Sequence, residues 1–154
     1  EAPLGTFYLR EESTKPIILL ASGTGFAPIK SIAEYMFAQN IARPTALYWG
    51  CRTRQDLYML DLPQRWAAEH SHFTFIPVLS EALASDNWTG RNGFVHRAVM
   101  EEFPDLSGHQ VYACGTPVMV EAARAEFTAK CGLPEDEFFA DSFISEADLA
   151  KAAG

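Results

Sequence analysis

The sequence predicts an α/β protein: a doubly wound five-stranded parallel sheet, in the order 3-2-1-4-5, with helices on both faces. Three observations predict it. Short apolar runs alternate with amphipathic segments along most of the 154 residues. A glycine-rich turn, Ser22-Gly23-Thr24-Gly25, separates the first run from the first amphipathic segment. A second glycine turn, Cys114-Gly115-Thr116-Pro117, follows the fourth run. Alternation at these lengths makes βαβ units, which put helices on both faces of a parallel sheet around one core.

The first strand is Ile17 to Ser22, an apolar run bounded by Pro16 and Gly23, as a strand buried on both faces requires. Ile29, Ile32, Ala33, Met36 and Phe37 then recur at helical spacing with Lys30, Glu34 and Gln39 between them, so a helix starts at about Pro28. Thr45 to Trp49 is the second strand, and Pro63 opens a helix running through Trp66 to Glu69. His72 to Leu79 is the third strand, placed at an edge because Pro77 has no N–H to give to a ladder. A loop with Asp86-Asn87 and Gly90 to Gly93 leads to a helix over Val95 to Phe103. Gln110 to Cys114 is the fourth strand, followed by a helix capped by Thr116-Pro117, carrying Met119, Ala123 and Phe127 on one face and stopping at Gly132. Phe138 to Phe143 is the fifth strand. The expected domain spans residues 12–144. Before it, residues 1–11 hold a lone strand-like run, Thr6 to Leu9, that reads as the end of another unit; after it, 145–154 is a polar tail.

Composition narrows the function. A net charge of -8 repels nucleic acid and anionic lipid. The longest aliphatic run, Ile17 to Ala21, falls far short of the roughly 18 residues that cross a bilayer, so no membrane role and a cytoplasmic location are expected. Cys51, Cys114 and Cys131 form no Cys-x-x-Cys pair, which speaks against a disulfide framework and against a plant-type iron-sulphur cluster in these residues. The four histidines show no metal-binding spacing.

Gly23 and Gly25 let backbone approach a bulky anion, and the helix after them offers free N–H groups and a partial positive charge to a pyrophosphate. The plain alternative is a tight turn needing positive φ at Gly23 or Gly25. Pro28 stands where the third glycine of the usual dinucleotide fingerprint would be. In the 3-2-1-4-5 order the two glycine turns flank one crevice at the topological switch point. Cys114 reads either as a buried residue ending a strand or as a nucleophile of a Cys-x5-Arg loop, although position 120 is valine. Arg52 and Arg54, around Thr53, follow the second strand, where such folds meet the adenosine ribose; they read as phosphate partners or as solvated surface cations.

Six motifs, Pro3-Leu4-Gly5-Thr6-Phe7, Ser22 to Pro28, Gly50 to Thr53 with Asp56-Leu57, Trp88 to Gly93, Cys114 to Pro117 and Asp141-Ser142-Phe143, occur in the order seen in the ferredoxin–NADP reductase superfamily. The chain most resembles its branch of bacterial oxygenase reductases and CDP-6-deoxyglucoseen reductases. The resemblance implies an NAD(P)H-binding domain of an electron-transfer flavoreductase, with residues 1–11 as the terminal strand of a missing FAD-binding barrel. It implies Gly23, Thr24, Gly25, Pro28, Arg52, Thr53, Arg54, Gly115, Thr116, Pro117 and Phe143 as cofactor-binding residues, with Cys114 catalytic beside the nicotinamide. It further implies NADH or NADPH as cofactor, with NADH favoured. FAD and an iron-sulphur cluster would sit in a barrel and a ferredoxin-like domain of the parent protein, and an oxygenase or dehydratase would accept the electrons. The barrel's Arg-x-Tyr-Ser or Arg-x-Tyr-Thr motif does not occur in these residues, so FAD is not expected on this chain alone. The competing expectation is a regulatory domain that binds a dinucleotide without redox work.

Overall fold

The computed structural model describes residues 7–142. Its strands are β1 Ile17–Ser22, β2 Thr45–Cys51, β3 Phe73–Leu79, β4 Arg91–Asn92, β5 Gln110–Gly115 and β6 Phe138–Ser142. The helices are α1 Phe26–Ala38, α2 Asp61–Glu69, α3 Val95–Glu102 and α4 Pro117–Lys130. One parallel sheet runs β4-β3-β2-β1-β5-β6. The five expected strands stand in the expected order, and the sheet has a sixth. β4 pairs only with Val78 and Leu79, so β3 is not the outermost strand. The addition begins just past Pro77, whose missing N–H explains why the rest of β3 stays unpaired on that side.

Alternation along β1 divides the core. Ile17, Leu19 and Ala21 face one way with Leu47, Trp49, Tyr112 and Cys114, beneath Phe26 and Ile29 of α1 and Trp66 of α2. Ile18 and Leu20 face the other way with Tyr48, Val111 and Ala113, beneath Val95 and Val99 of α3 and Val120 and Phe127 of α4. The sheet is therefore doubly wound, and its central strands are apolar on both faces. α1 starts at Phe26, two residues before the expected position. Pro28 is its third residue, where a missing N–H costs nothing because that group has no intrahelical partner. Phe143 lies outside the described residues, as does the polar tail.

Residues 7–10 form no strand and lie against the sheet. Leu9 is buried, and the Arg10 N–H donates to the Tyr112 hydroxyl at 2.9 Å. Buried Arg43 holds the segment from below, donating to the carbonyls of Arg10 (3.0 Å) and Lys15 (2.8 Å) and to Gln110 Oε1 (2.9 Å). Among the described residues no helix is long and apolar enough to cross a membrane.

Candidate functional site

β1 ends at Ser22 between β2 and β5, whose crossovers leave to opposite sides, so the sheet's switch point lies between β1 and β5 at the carboxyl edge. Two turns meet there. Gly23 holds φ at +55°, with open space where a Cβ would stand. Its carbonyl accepts from Trp49 Nε1 at 2.9 Å, and that indole stacks on Phe26 with ring centroids 4.0 Å apart. Thr24 is exposed at the tip of the turn. Gly25 has φ of -62°, so positive φ is not its reason for being glycine; a Cβ there would overlap the Cys114 carbonyl. Likewise a Cβ on Gly115 would overlap Ser22 Oγ.

Ser22, which the sequence did not mark as functional by itself, joins the two turns: its hydroxyl accepts from the Thr116 N–H at 3.4 Å. Thr116 caps α4 by accepting from the Met119 N–H at 3.4 Å, and Pro117 fills the first helical position with no donor lost. The first turns of α1 and α4 thus open on the same crevice and bring the positive ends of two helix dipoles to it. Gly23, Thr24, Gly25, Cys114, Gly115, Thr116 and Pro117 come together here, and Pro28 sits one step behind in α1.

Cys114 is fully buried. Burial, with a smaller push from Asp141, raises its thiol to about 12, so the side chain is a neutral thiol at physiological pH. It cannot serve as the nucleophile of a hydrolytic loop, which needs a thiolate open to substrate. Cys51 is raised to about 12 by burial too, against an opposing backbone hydrogen bond from Gly23.

Arg52, Thr53 and Arg54 occupy the next turn along, beyond β2. Thr53 is committed locally, since Asp56 Oδ2 accepts from both its N–H and its hydroxyl at 3.3 Å. Arg52 and Arg54 are exposed and make no ion pair among the described residues. Arg54 and Arg65 border a cleft of about 470 Å³ with Tyr58 and Leu60. A carboxylate that sequence spacing did not reveal also reaches this turn: Asp86, 32 residues away, accepts from the Arg54 N–H at 3.4 Å.

The open face of Gly23, the close approach of the two turns and the paired helix ends fit a pyrophosphate. A family model described as an oxidoreductase NAD-binding domain matches residues 19–125. Protein RfbI of Salmonella typhimurium is 43% identical over 149 residues, covering 97% of this chain and 44% of its own length. CDP-6-deoxy-L-threo-D-glycero-4-hexulose-3-dehydrase reductase of Yersinia pestis is 44% identical over 144 residues, covering 94% of this chain and 42% of its own. The crystal structure of Amycolatopsis cytochrome P450 reductase GcoB superimposes with a TM-score of 0.82 at 34% identity, over 92% of this chain and 42% of that one. The chain thus spans less than half the length of each of these proteins.

Proposed function

Because this chain belongs to the oxidoreductase NAD-binding domain family, we propose that it is the NAD(P)H-binding unit of an electron-transfer flavoreductase. The single observation that carries the reading is the crevice between the turns after β1 and β5, where Gly25 and Gly115 permit the close approach and Gly23 leaves room for a ligand. The pyrophosphate lies against Gly23 to Gly25 and the first turn of α1 with Pro28. The nicotinamide end lies against Gly115, Thr116 and Pro117, and the adenosine end lies toward Arg52, Thr53 and Arg54. Phe143 belongs to the same reading as a cofactor-binding residue.

A bound nicotinamide would supply a hydride for the FAD of the parent protein, and an iron-sulphur centre there would take single electrons onward. The chain's own part is geometric. Thr24 and the α1 N–H groups orient the phosphates, and Trp49 holds the Gly23 carbonyl so that the turn keeps its shape. Cys114, buried with its carbonyl beneath Gly25, acts on the ring's approach by fixing the floor on which Gly115 and Gly25 meet. The FAD-binding barrel and ferredoxin-like domain belong to the part of the parent protein outside this chain, and an oxygenase or a dehydratase receives the electrons. The names of the Yersinia and Amycolatopsis relatives support a reductase serving a separate enzyme rather than a regulatory domain.

NADH is the preferred cofactor, because the arginines of the β2 turn share their surroundings with carboxylates. Calorimetry with ADP-ribose, NADH and FAD tests the assignment. Nucleotide binding without FAD binding is expected; stoichiometric FAD on the purified chain would sink it.

A further inference from the structure

Resting on that dinucleotide reading, the geometry points to Asp86 as the residue that decides between a free ribose and a 2′-phosphate, by holding a carboxylate of the protein's own against the turn after β2. In open α/β sheets an acidic residue at the end of the second strand takes the ribose hydroxyls. Here β2 ends in Gly50 and Cys51 and has no such residue. The segment after β3 supplies one instead. The Ser80 N–H donates to the Cys51 carbonyl at 2.9 Å, and the Glu81 N–H to the Arg52 carbonyl at 2.8 Å, so this segment is laced along the β2 turn. Five residues on, Asp86 Oδ2 accepts from the Leu83 N–H at 2.8 Å and from the Arg54 N–H at 3.4 Å. The first bond fixes the carboxylate in its own turn; the second places it at the start of the Arg54–Asp56 turn, beside the residues that follow β2.

The other oxygen, Oδ1, accepts no hydrogen bond among the described residues and is available to a ribose hydroxyl. A 2′-phosphate brought to the same place meets a fixed negative charge at contact distance, where like charges repel most strongly. Arg52 and Arg54 pull the other way, since their guanidinium groups make no ion pair among the described residues. Asp56, held by Thr53 at the end of the same turn, keeps its charge and stands on the negative side. Glu81 is exposed on the same segment and adds to the negative side.

The test is calorimetric titration of this chain with ADP-ribose and with 2′-phospho-ADP-ribose, in the wild type, Asp86→Asn, Asp86→Ser and Asp86→Asn with Arg54→Ala. Asparagine keeps the shape and the amide contacts while removing the charge, and denaturant midpoints check that each variant folds. The affinity ratio is expected to move about tenfold or more toward the phosphorylated ligand in both single variants, and to fall back when Arg54 is also removed. A ratio unchanged within about twofold in folded Asp86→Asn and Asp86→Ser would overturn the role of Asp86. Failure of the wild type to bind either ligand would overturn the dinucleotide reading itself, a different result.

Discussion

At Gly23 the backbone holds φ at +55° with open space around it, whereas at Gly25 the backbone is ordinary and the space is filled by the Cys114 carbonyl. Substitution separates the two. Gly23→Ala is expected to cost about 1 kcal/mol, the strain of a left-handed alanine. Gly25→Ala forces the turn after β1 away from the end of β5 and is expected to cost about 1–3 kcal/mol, the range for overpacking a tight contact. Urea unfolding of both variants checks the order, and equal costs would mean that the two turns do not meet as described. Both glycines were legible in the sequence as a motif, but which of them needs the conformation and which needs the space was not, because the second depends on a carbonyl 89 residues away. Cys114→Ala, made in the full-length parent, is expected to slow flavin reduction more than it weakens nucleotide binding, since the thiol is buried under the crevice floor. Stopped-flow reduction set beside nucleotide affinity reads this directly, and an unchanged reduction rate would leave the cysteine a packing role alone.

Elements with a strong period were read from the sequence with small errors at their ends, and those without one were not. β1 alternates between two cores and α1 carries Ile29, Ile32, Ala33 and Met36 on its buried face, so both announce themselves. β4 has two residues and no period; it forms because Arg91 ties the segment to α3 through Glu101 and Glu102, while the hydroxyl of buried Tyr48 also donates to Glu102. None of those partners is near in sequence. The N-terminal segment is held in the same tertiary manner by Arg43. A hydrogen bond to a charged group is worth about 1.5–3 kcal/mol, and Arg43 makes three while almost wholly buried. Arg43→Met is therefore expected to cost about 2–4 kcal/mol after some packing is regained. Hydrogen exchange locates the loss: the Arg10 amide, bonded to Tyr112, should lose protection while the α1 amides keep theirs. Uniform loss along the chain would mean that Arg43 supports the whole sheet and not the segment.

Across the whole molecule, burial moves several titrating groups in directions that set the pH range of stability. Cys51 and Cys114 are pushed from an ordinary 9.0 to about 12 by desolvation, and the buried Tyr48 and Tyr112 hydroxyls are raised above their usual 10.0 by the same cause. For an acid whose folded value is raised, the unfolded chain gives up its proton first as pH climbs. Stability is then full below the unfolded value and declines from about pH 9 upward. On the acid side the signs reverse. His72 and His109 are lowered from 6.5 by desolvation, so the unfolded chain takes their protons first and stability begins to fall below that pH. Glu137 adds a second stage below 4.5: burial raises it, but hydrogen bonds from Lys15 and Gln110 outweigh burial and leave it lowered. A plateau between about pH 6.5 and 9 is thus expected in urea midpoints, with a histidine limb and then a carboxylate limb beneath it. Replacing Cys51 and Cys114 by alanine should lower the plateau through lost packing yet flatten the alkaline limb. An alkaline limb equally steep without the two thiols would assign it to Cys131, which burial also raises, and to the tyrosines.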